Sequence, residues 1–361
     1  MPVATEPVPQ TSSEGEVRYL ADVPASAMKG LVASTPRGFG RLERLLQQLQ
    51  FRIKADATHT AYSGDRDRCR RFFREARLAK AGYDLVSGLL PDERILLLFV
   101  LWGTIIKGWK LSTMRRSLRG VQDAFKRRGV DFPMDFRSEE KFFKSLRRFL
   151  YESPEYRRLT EVTRKRRFSN SLYAKMLAAC DVRTPHGARN HAILTNLIEG
   201  CFRRSELVAL DVHHRKRDKR GHIYVLTRSK TNQDGHVEYV PMKCVPDPSC
   251  PVCSADRWLR MAKITSGAIY RGIDRWGHLN DKALTGTAIA LIIKDILRDI
   301  GLSEDEVAHY SGHSGRRTGI NRRLDARQSP LVVKRRARIK SDSTLETYVE
   351  DPYYWLDQDA A

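Results

Sequence analysis

The hydrophobic positions in the first half of the chain repeat with a helical period. Between Ile95 and Ile106, apolar residues recur three and four positions apart, directly after a helix start at Pro91, Asp92 and Glu93. This stretch has 12 residues, whereas a membrane-spanning helix needs about 20. The pattern therefore predicts a buried helix and excludes a membrane span.

A second amphipathic helix is predicted after it. Ser112 would cap this helix, which would run to Arg128 and end at Gly129, a residue typical of helix C-termini. One face is apolar, and the remainder carries the basic residues Arg115, Arg116, Arg119, Lys126, Arg127 and Arg128. Such a helix suits the backbone of a nucleic-acid duplex, although an ordinary solvated face gives the same pattern.

The second half of the chain mixes both periodicities. We predict helices over residues 171–180, 188–199 and 287–300, a capping box from Ser303 to Glu306, and a further helix opening at Ser329 and Pro330. Alternation predicts strands over 222–227 and 236–242, joined through a turn at Asp234 and Gly235.

These patterns divide the chain into four regions. Residues 1–41 contain five prolines and no clear period, so we expect a flexible extension there. A helical domain follows over 42–150, and the polar, weakly periodic stretch 151–168 is the predicted linker. A second domain with a C-terminal tail occupies 169–361.

The charge balance indicates the kind of partner. The 361 residues include 65 Lys and Arg against 43 Asp and Glu, a formal charge of +22. The basic residues cluster within 68–77, 115–128, 164–167 and 334–340. Clusters of this kind favour nucleic acid over an incidental basic surface, and no lipidation signal supports a membrane. The N-terminus does not resemble a signal peptide, and six cysteines in a long chain are not a disulfide scaffold.

Three of the cysteines raise the question of a metal. Cys244, Cys250 and Cys253 lie close together after the second predicted strand. A structural zinc site normally has four ligands, so a fourth would come from elsewhere, with His236 or Cys201 as candidates. The spacing is unusual, and free thiols in a loop are the alternative.

The chain has no Walker loop, no G-x-G-x-x-G and no acidic cluster of a two-metal nuclease. Chemistry on DNA would then depend on cationic side chains around a phosphate. Four places offer candidate groups, in this order: Arg203 with Glu206, Lys230, His313 with Arg316, and Tyr348.

This ordered set resembles the tyrosine recombinase (phage integrase) family, most closely its Cre-like branch. Arg203 matches the family's first arginine, and Glu206 matches the acid three residues later. Lys230 matches the hairpin lysine, and His313 and Arg316 match the H-x-x-R motif. Tyr348 matches the nucleophile, and Arg204 and Arg317 are adjacent alternatives for the two arginines.

The resemblance implies a fold that is mainly α with a small antiparallel β-sheet. A helical core-binding domain and an α/β catalytic domain would form a C-shaped clamp. We expect DNA contacts from basic residues of the first domain and of the linker: Lys107, Lys110, Arg115, Arg116, Arg119, Lys126, Arg164, Lys165 and Arg166.

It also implies a site-specific recombinase that cleaves and rejoins DNA through a 3′-phosphotyrosine and a Holliday junction. The expected partners are double-stranded DNA with paired inverted-repeat sites and three further copies of the chain in a tetramer. No catalytic metal or cofactor and no membrane are implied, and the expected location is the cytoplasm, at the nucleoid, in a bacterial, phage or plasmid system. A non-catalytic DNA-binding protein of the same fold and a topoisomerase-like nicking-closing enzyme are the alternatives.

One position departs from the family pattern. Ile339 stands about nine residues before Tyr348, where the family has histidine or tryptophan. Either Arg338 or Lys340 takes that role, or it is lost, which weakens or alters the activity. The aromatic tail with Tyr353, Tyr354 and Trp355 either docks on a neighbouring subunit or caps its own core.

Overall fold

The computed structural model describes residues 56–161, 164–226 and 237–349. The chain divides into two compact units, Met1–Glu161 (unit 1) and Val162–Ala361 (unit 2), and the boundary falls inside the stretch predicted as a linker. Lys230, the predicted turn at Asp234 and Gly235, the extension over 1–41 and the aromatic tail lie outside the described residues.

The regular elements in the described part of unit 1 are helices. Its α-helices are α1 (Asp56–Glu75), α2 (Glu93–Leu101), α3 (Leu111–Arg127) and α4 (Phe136–Glu152), with 3-10 turns at Leu78–Ala81 and Arg157–Leu159 and a π-helical turn at Trp102–Ile106. The α1 and α3 helices pack closely, because Gly120 of α3 leaves room for Asp65 of α1. The core is built from aromatic and aliphatic side chains, among them Phe72, Phe99, Met114, Leu118 and Phe143.

Two details of unit 1 differ from the sequence expectation. The apolar stretch is not one buried helix: α2 gives way to the π-helical turn after Leu101, and Leu98 and Ile106 are 46% and 69% exposed. The change coincides with Gly103, whose missing side chain leaves the space that Met114 fills. In addition, α3 begins at Leu111, so Ser112 lies inside the helix and does not cap it.

Unit 2 combines nine α-helices with two small sheets in its described part. The helices are α5 (Asn170–Ala178), α6 (Pro185–Glu199), α7 (Arg204–Val208), α8 (Pro251–Met261), α9 (Gly286–Asp299), α10 (Glu304–Ala308), α11 (Gly312–Asp325), α12 (Pro330–Ala337) and α13 (Asp342–Glu346). Within the described ranges, no helix of either unit has both the length and the apolar character needed to cross a bilayer.

The larger sheet has three antiparallel strands in chain order: β1 (Arg215–Asp218), β2 (Gly221–Leu226) and β3 (Glu238–Lys243). Tyr224 of β2 pairs with Val240 of β3, and both side chains face the core. A second antiparallel pair, β4 (Arg271–Ile273) and β5 (Leu279–Ala283), follows α8. The prediction of two strands is correct, whereas β1, β4 and β5 were not predicted.

Helix α6 lies at the centre of unit 2. Ten of its residues from Ala188 to Ile198 have buried side chains, with α8 and α11 packed against them. A side chain at Gly315 of α11 would collide with Leu197, and one at Gly319 would collide with the Ile198 carbonyl, so glycine at both positions allows the two helices to approach closely. The C-terminal end of α6 and the N-terminal end of α11 meet next to α7, where the predicted catalytic residues lie.

Candidate active site

Glu206 anchors one side of the site. Arg203 is the N-cap of α7, and its backbone N–H donates to Glu206 Oε2 over 2.8 Å. The Arg203 guanidinium also pairs with Glu206 Oε1. As an N-cap, Arg203 has extended backbone, which directs its side chain back to the carboxylate three residues on.

Arg338 provides a second cation for the same carboxylate. Its Nη2 and Nε donate to Glu206 Oε2 over 2.7 and 3.2 Å. Its other bonds end on backbone carbonyls, including Cys201 O at 2.9 Å. Arg338 has a left-handed backbone, with φ at 54°, which ends α12 and turns the side chain inward.

The electrostatics of this group are unusual for a buried acid. Burial alone would raise the pKa of Glu206, but attraction from Arg338 and Arg203 outweighs it and lowers the pKa below its usual value. The carboxylate is therefore ionised at neutral pH and holds two guanidinium groups in fixed positions.

Arg316 lies at the base of the site, with 2% of its surface exposed. Its Nη1 donates to Cys201 O over 2.6 Å, and Nη2 donates to Ala337 O. Its Nε lies 3.4 Å from the Tyr348 hydroxyl. Burial first, and then repulsion from Arg203, lowers the pKa of Arg316, so this cation is held at an electrostatic cost that an anionic ligand would relieve.

Tyr348 is buried against side chains of α11 and α12. It follows α13 and is not part of it, since α13 ends at Glu346. Its ring packs in an apolar cluster with Cys201, Ile320, Val333, Ala337, Ile339 and Leu345. Apolar packing thus holds the ring in place, while its hydroxyl contacts Arg316.

His313 stands beside the tyrosine in the first turn of α11. Its ring centroid is 5.8 Å from that of Tyr348, and the residue is exposed to solvent. Partial desolvation, followed by repulsion from Arg316 and Arg317, lowers the pKa of His313 to about 4. Its imidazole is therefore neutral at pH 7, with one nitrogen free to accept a proton.

The alternative arginines take different positions. Arg317 donates to Thr347 O over 2.9 Å, and its guanidinium lies 5.3 Å from the centroid of the Tyr348 ring. Arg204 is exposed and donates to Gly286 O over 3.3 Å. Of the four candidates, only Arg203 pairs with Glu206 and only Arg316 has a hydrogen bond to the tyrosine hydroxyl.

The position of Ile339 is apolar in this chain. Ile339 is 7% exposed and packs in the same cluster as Tyr348. Arg338 is directed to Glu206, and Lys340 is exposed. In the described part of the chain, neither Arg338 nor Lys340 has a hydrogen bond to Tyr348.

Sequence comparison supports the resemblance that the residues suggested. No family model matches the chain. A curated integrase/recombinase XerD homolog of Selenomonas ruminantium is 32% identical over 165 residues, which cover 45% of this chain and 48% of that protein. Over the matched region, this chain is similar to an integrase/recombinase. The matched region spans about half the length of that curated relative.

Solved structures show the same fold at low identity. The Tn1549 transposon integrase in complex with transposon right end DNA has a TM-score of 0.57 at 14% identity, with 88% of this chain and 97% of that chain covered. XerH bound to palindromic difH substrate has a TM-score of 0.56 at 16% identity, with 83% and 78% covered. The lambda integrase dimer bound to a COC′ core site has a TM-score of 0.55 at 14% identity, with 93% of this chain and 84% of that chain covered. The Cre-like branch stays a prediction.

The structure brings together five of the six predicted catalytic residues: Arg203, Glu206, His313, Arg316 and Tyr348. Lys230, the sixth, lies outside the described residues. The described start of β3 lies near the site's edge, because Glu238 and Tyr239 line a cleft of about 350 Å³ together with Ile339 and Lys340. The sequence did not indicate that Arg338 pairs with Glu206, because 132 positions separate them.

The basic residues predicted to bind DNA in unit 1 are mostly held by intramolecular contacts. Lys107 pairs with Glu75, and Arg115 with Glu140. The remaining contacts join Arg116 to Asp65, Arg119 to Glu139 and Lys110 to the Glu161 carbonyl. Lys126 is exposed and has no ion pair among the described residues. Their binding to DNA stays a prediction.

Three predicted DNA-binding residues begin unit 2. Arg164 donates to Thr347 O over 3.3 Å, the same carbonyl that Arg317 contacts. Lys165 donates to Ala308 O over 2.5 Å, and the Arg166 backbone N–H donates to His309 O over 3.0 Å. This first segment is therefore attached to the site, and two arginines hold the residue that precedes Tyr348.

Proposed function

We propose that the protein is a site-specific DNA recombinase that cleaves and rejoins DNA through a 3′-phosphotyrosine intermediate. The observation that supports it most directly is the contact between Tyr348 Oη and Arg316 Nε, 3.4 Å apart, in a pocket lined by further cations. A phenol next to buried guanidinium groups is suited to attack on a phosphodiester, because those groups stabilise the charge that develops on phosphorus.

In the proposed cleavage step, Tyr348 Oη forms a bond to phosphorus while the bond from phosphorus to the 5′-oxygen breaks. Arg203 and Arg316 bind the non-bridging oxygens, for which a planar guanidinium fork is well suited. His313, neutral at pH 7, accepts the phenol proton or donates a hydrogen bond to the phosphate. Lys230 protonates the leaving 5′-oxygen.

Glu206 acts as a positioning residue in this proposal. It contacts Arg203 and Arg338 and is 1% exposed. Fixing Arg203 before the phosphate arrives reduces the reorganisation that the reaction requires. Ligation reverses the cleavage, since a free 5′-hydroxyl attacks the phosphotyrosine and releases Tyr348.

We further propose that strand exchange takes place between two DNA sites, each with inverted repeats, held by a tetramer through a Holliday junction. One neighbour is a lambda integrase tetramer bound to a Holliday junction, with a TM-score of 0.52 at 13% identity. The proposed location is the cytoplasm, at the nucleoid, in a bacterial, phage or plasmid system; the curated relative is from a bacterium.

The decisive experiment detects the covalent intermediate. The full chain is incubated with a labelled plasmid that carries the DNA flanking its gene, and covalent complexes are resolved under denaturing conditions. We expect an adduct with the native protein and none with Tyr348→Phe, while DNA binding is unchanged in a mobility-shift assay. Tyr310→Phe is the matched control, because Tyr310 stacks on Phe168 and has no contact with Arg316.

Persistence of the adduct in Tyr348→Phe would exclude Tyr348, and Tyr353 and Tyr354 would be tested next. Binding without any adduct from the native protein would favour the non-catalytic alternative, which Ile339 at the position of the family's histidine or tryptophan supports. Relaxation of supercoils without paired sites would favour the nicking-closing enzyme.

A further inference from the structure

Three cysteine sulfurs of unit 2 lie within bonding range of a single ion. Cys244 directly follows β3, Cys250 is the N-cap of α8, and Cys253 lies in the first turn of that helix. The Cys244 sulfur is 3.7 Å from the sulfurs of both Cys250 and Cys253, and all three sulfurs lie within 4.8 Å of one another. No residue of this cluster takes part in the proposed cleavage.

The spacing of the sulfurs fits a tetrahedral metal. A zinc–sulfur bond is about 2.3 Å long, so two thiolates on one zinc ion lie roughly 3.8 Å apart. The two observed separations of 3.7 Å match this value. A disulfide needs sulfurs at about 2.05 Å, and the described cysteines are all free thiols.

The backbone around Cys250 favours a negatively charged sulfur. The N–H groups of Val245 and Cys253 donate to Cys250 Sγ over 3.5 and 3.3 Å. Cys250 also stands at the N-terminus of an 11-residue helix with Pro251 in its first position. Both features stabilise a thiolate, which is the form that binds metals.

Among the described residues, no other histidine, cysteine, aspartate or glutamate joins this cluster. Cys201, one of the candidates for a fourth ligand, is not close enough; it packs with Ile320 and Val333 instead. His236, the other candidate, lies outside the described residues and precedes β3, whereas Cys244 follows it. Cys244 and Cys253 are exposed, so solvent reaches the remaining position.

We propose that Cys244, Cys250 and Cys253 form a zinc site, with water as the fourth ligand. The thiols release their protons to solvent as the metal binds. The ion would join the end of β3 to the start of α8. Helix α8 packs on α6, and Arg336 contacts Pro241 O and Met242 Sδ near the end of β3. Metal binding would therefore stabilise the sheet whose strands β2 and β3 come directly before and after the segment that contains Lys230 in the sequence.

The first test measures metal in the untagged full-length protein under reducing conditions. We expect about one zinc per chain by mass spectrometry, as a single tetrahedral site requires. Replacement by Co²⁺ should give the visible absorption of a tetrahedral ion and a sulfur-to-cobalt charge-transfer band. Both signals report the ligands directly and do not depend on DNA cleavage, so this proposal can fail while the recombinase proposal stands.

The variants separate metal binding from folding. Cys253→Ser at an exposed position should lose most of the zinc and the cobalt charge-transfer band, whereas Cys253→His should keep the metal with an altered cobalt spectrum. Cys180→Ala is the control, because Cys180 is a buried thiol outside the cluster, and it should keep the metal. A chelator should lower the thermal midpoint of the native protein and leave that of Cys253→Ser unchanged.

Three results would overturn the proposal. The first is a reduced native protein that neither contains zinc nor binds added Zn²⁺ or Co²⁺. The second is an unchanged cobalt spectrum in Cys253→Ser, which would place the metal elsewhere. The third is a Cys244–Cys253 disulfide as the only product of the cluster, with no metal uptake after reduction.

Discussion

At the residue scale, the site depends on one buried carboxylate shared by two guanidinium groups. Glu206→Gln keeps the side-chain volume but removes the charge that Arg203 and Arg338 share. Leaving buried charges without their partner typically costs about 3–5 kcal/mol. We expect the free energy of unfolding to fall by that amount at pH 7, measured by urea denaturation, because Glu206 is 1% exposed.

The control is Glu304→Gln, since the pair between Glu304 and Arg298 lies at the surface. Surface pairs contribute at most about 1 kcal/mol. The pH dependence adds a second check. Because the folded pKa of Glu206 lies below the usual 4.5, its contribution is complete above that pH and is lost as the pH falls through the folded pKa. Equal losses in both variants, or a difference that grows in acid, would contradict the role assigned to Glu206.

His313 should report the arrival of a phosphate. In the free protein, its pKa is lowered to about 4 by desolvation and by the arginines around it. A bound phosphate adds negative charge beside the ring, so DNA binding should raise this pKa. The measurement is an NMR titration of the imidazole carbon protons, with His313→Asn to assign the signal.

His191 serves as the internal reference in the same spectra. It is buried on α6, and burial lowers its pKa to about 4 as well, but it does not lie in the site. We expect DNA to leave the His191 titration unchanged. The pKa of His313 is lower in the folded protein than in the unfolded chain, so protonation of His313 disfavours folding. The contribution of His313 to the free energy of unfolding is therefore complete above pH 6.5 and is lost as the pH falls toward 4. A free-protein midpoint near 6.5 would refute this electrostatic description.

The sequence predicted the members of the site better than their contacts. Arg203, Glu206, His313, Arg316 and Tyr348 were selected because their order and spacing resemble the motif of the tyrosine recombinase family. The pairing of Arg338 with Glu206 was not predictable, because it depends on a left-handed backbone at the end of α12 that a non-glycine residue rarely adopts. Long-range pairing of this kind is set by the fold and not by local pattern.

At the element scale, capping residues explain why several helices were predicted with near-correct bounds. The side chains of Asp92, Ser303 and Ser329 each accept a hydrogen bond from a backbone N–H in the first turn of the following helix. Strands β1, β4 and β5 have no such signal. The sequence RKRD of β1 is charged at every position and does not alternate, and only pairing with β2 makes it a strand.

The connection between α12 and α13 positions Tyr348 through apolar contacts, and Ile339 lies at its centre. Ile339→Ala would leave a cavity beside the tyrosine ring, at a cost of about 2–5 kcal/mol in unfolding free energy. Because the Tyr348 ring would lose packing contacts that hold it in position, we also expect slower adduct formation. Thermal denaturation and the covalent-adduct assay measure the two effects.

Leu331→Ala on α12 is the matched control, because Leu331 is 58% exposed and packs outside this cluster. It should change neither stability nor adduct formation by more than a small amount. If Ile339→Ala and Leu331→Ala had the same effect, the apolar packing of Tyr348 would not depend on Ile339.

At the scale of the whole molecule, the net charge of +22 overstates the positive charge that is accessible to a ligand at the surface. Arg316, Arg317 and Arg338 are each less than a tenth exposed. In unit 1, most of the predicted DNA-binding residues pair with carboxylates. Some cations of the basic clusters therefore stabilise the fold, and we expect the others to bind phosphates.

Salt dependence can separate these two roles. Each phosphate contact that a cation makes adds close to one to the slope of log affinity against log salt concentration. Lys126 is exposed without an ion pair in the described chain, so Lys126→Ala should lower the slope by roughly one and leave stability unchanged. Arg119 pairs with Glu139, which is 1% exposed, so Arg119→Ala should mainly destabilise unit 1.

Two measurements on both variants provide the comparison. Fluorescence anisotropy at several salt concentrations measures binding to a duplex, and urea denaturation measures stability. An unchanged slope in Lys126→Ala would remove Lys126 from the DNA interface, and a stable Arg119→Ala variant with a reduced slope would show that this ion pair opens when DNA binds.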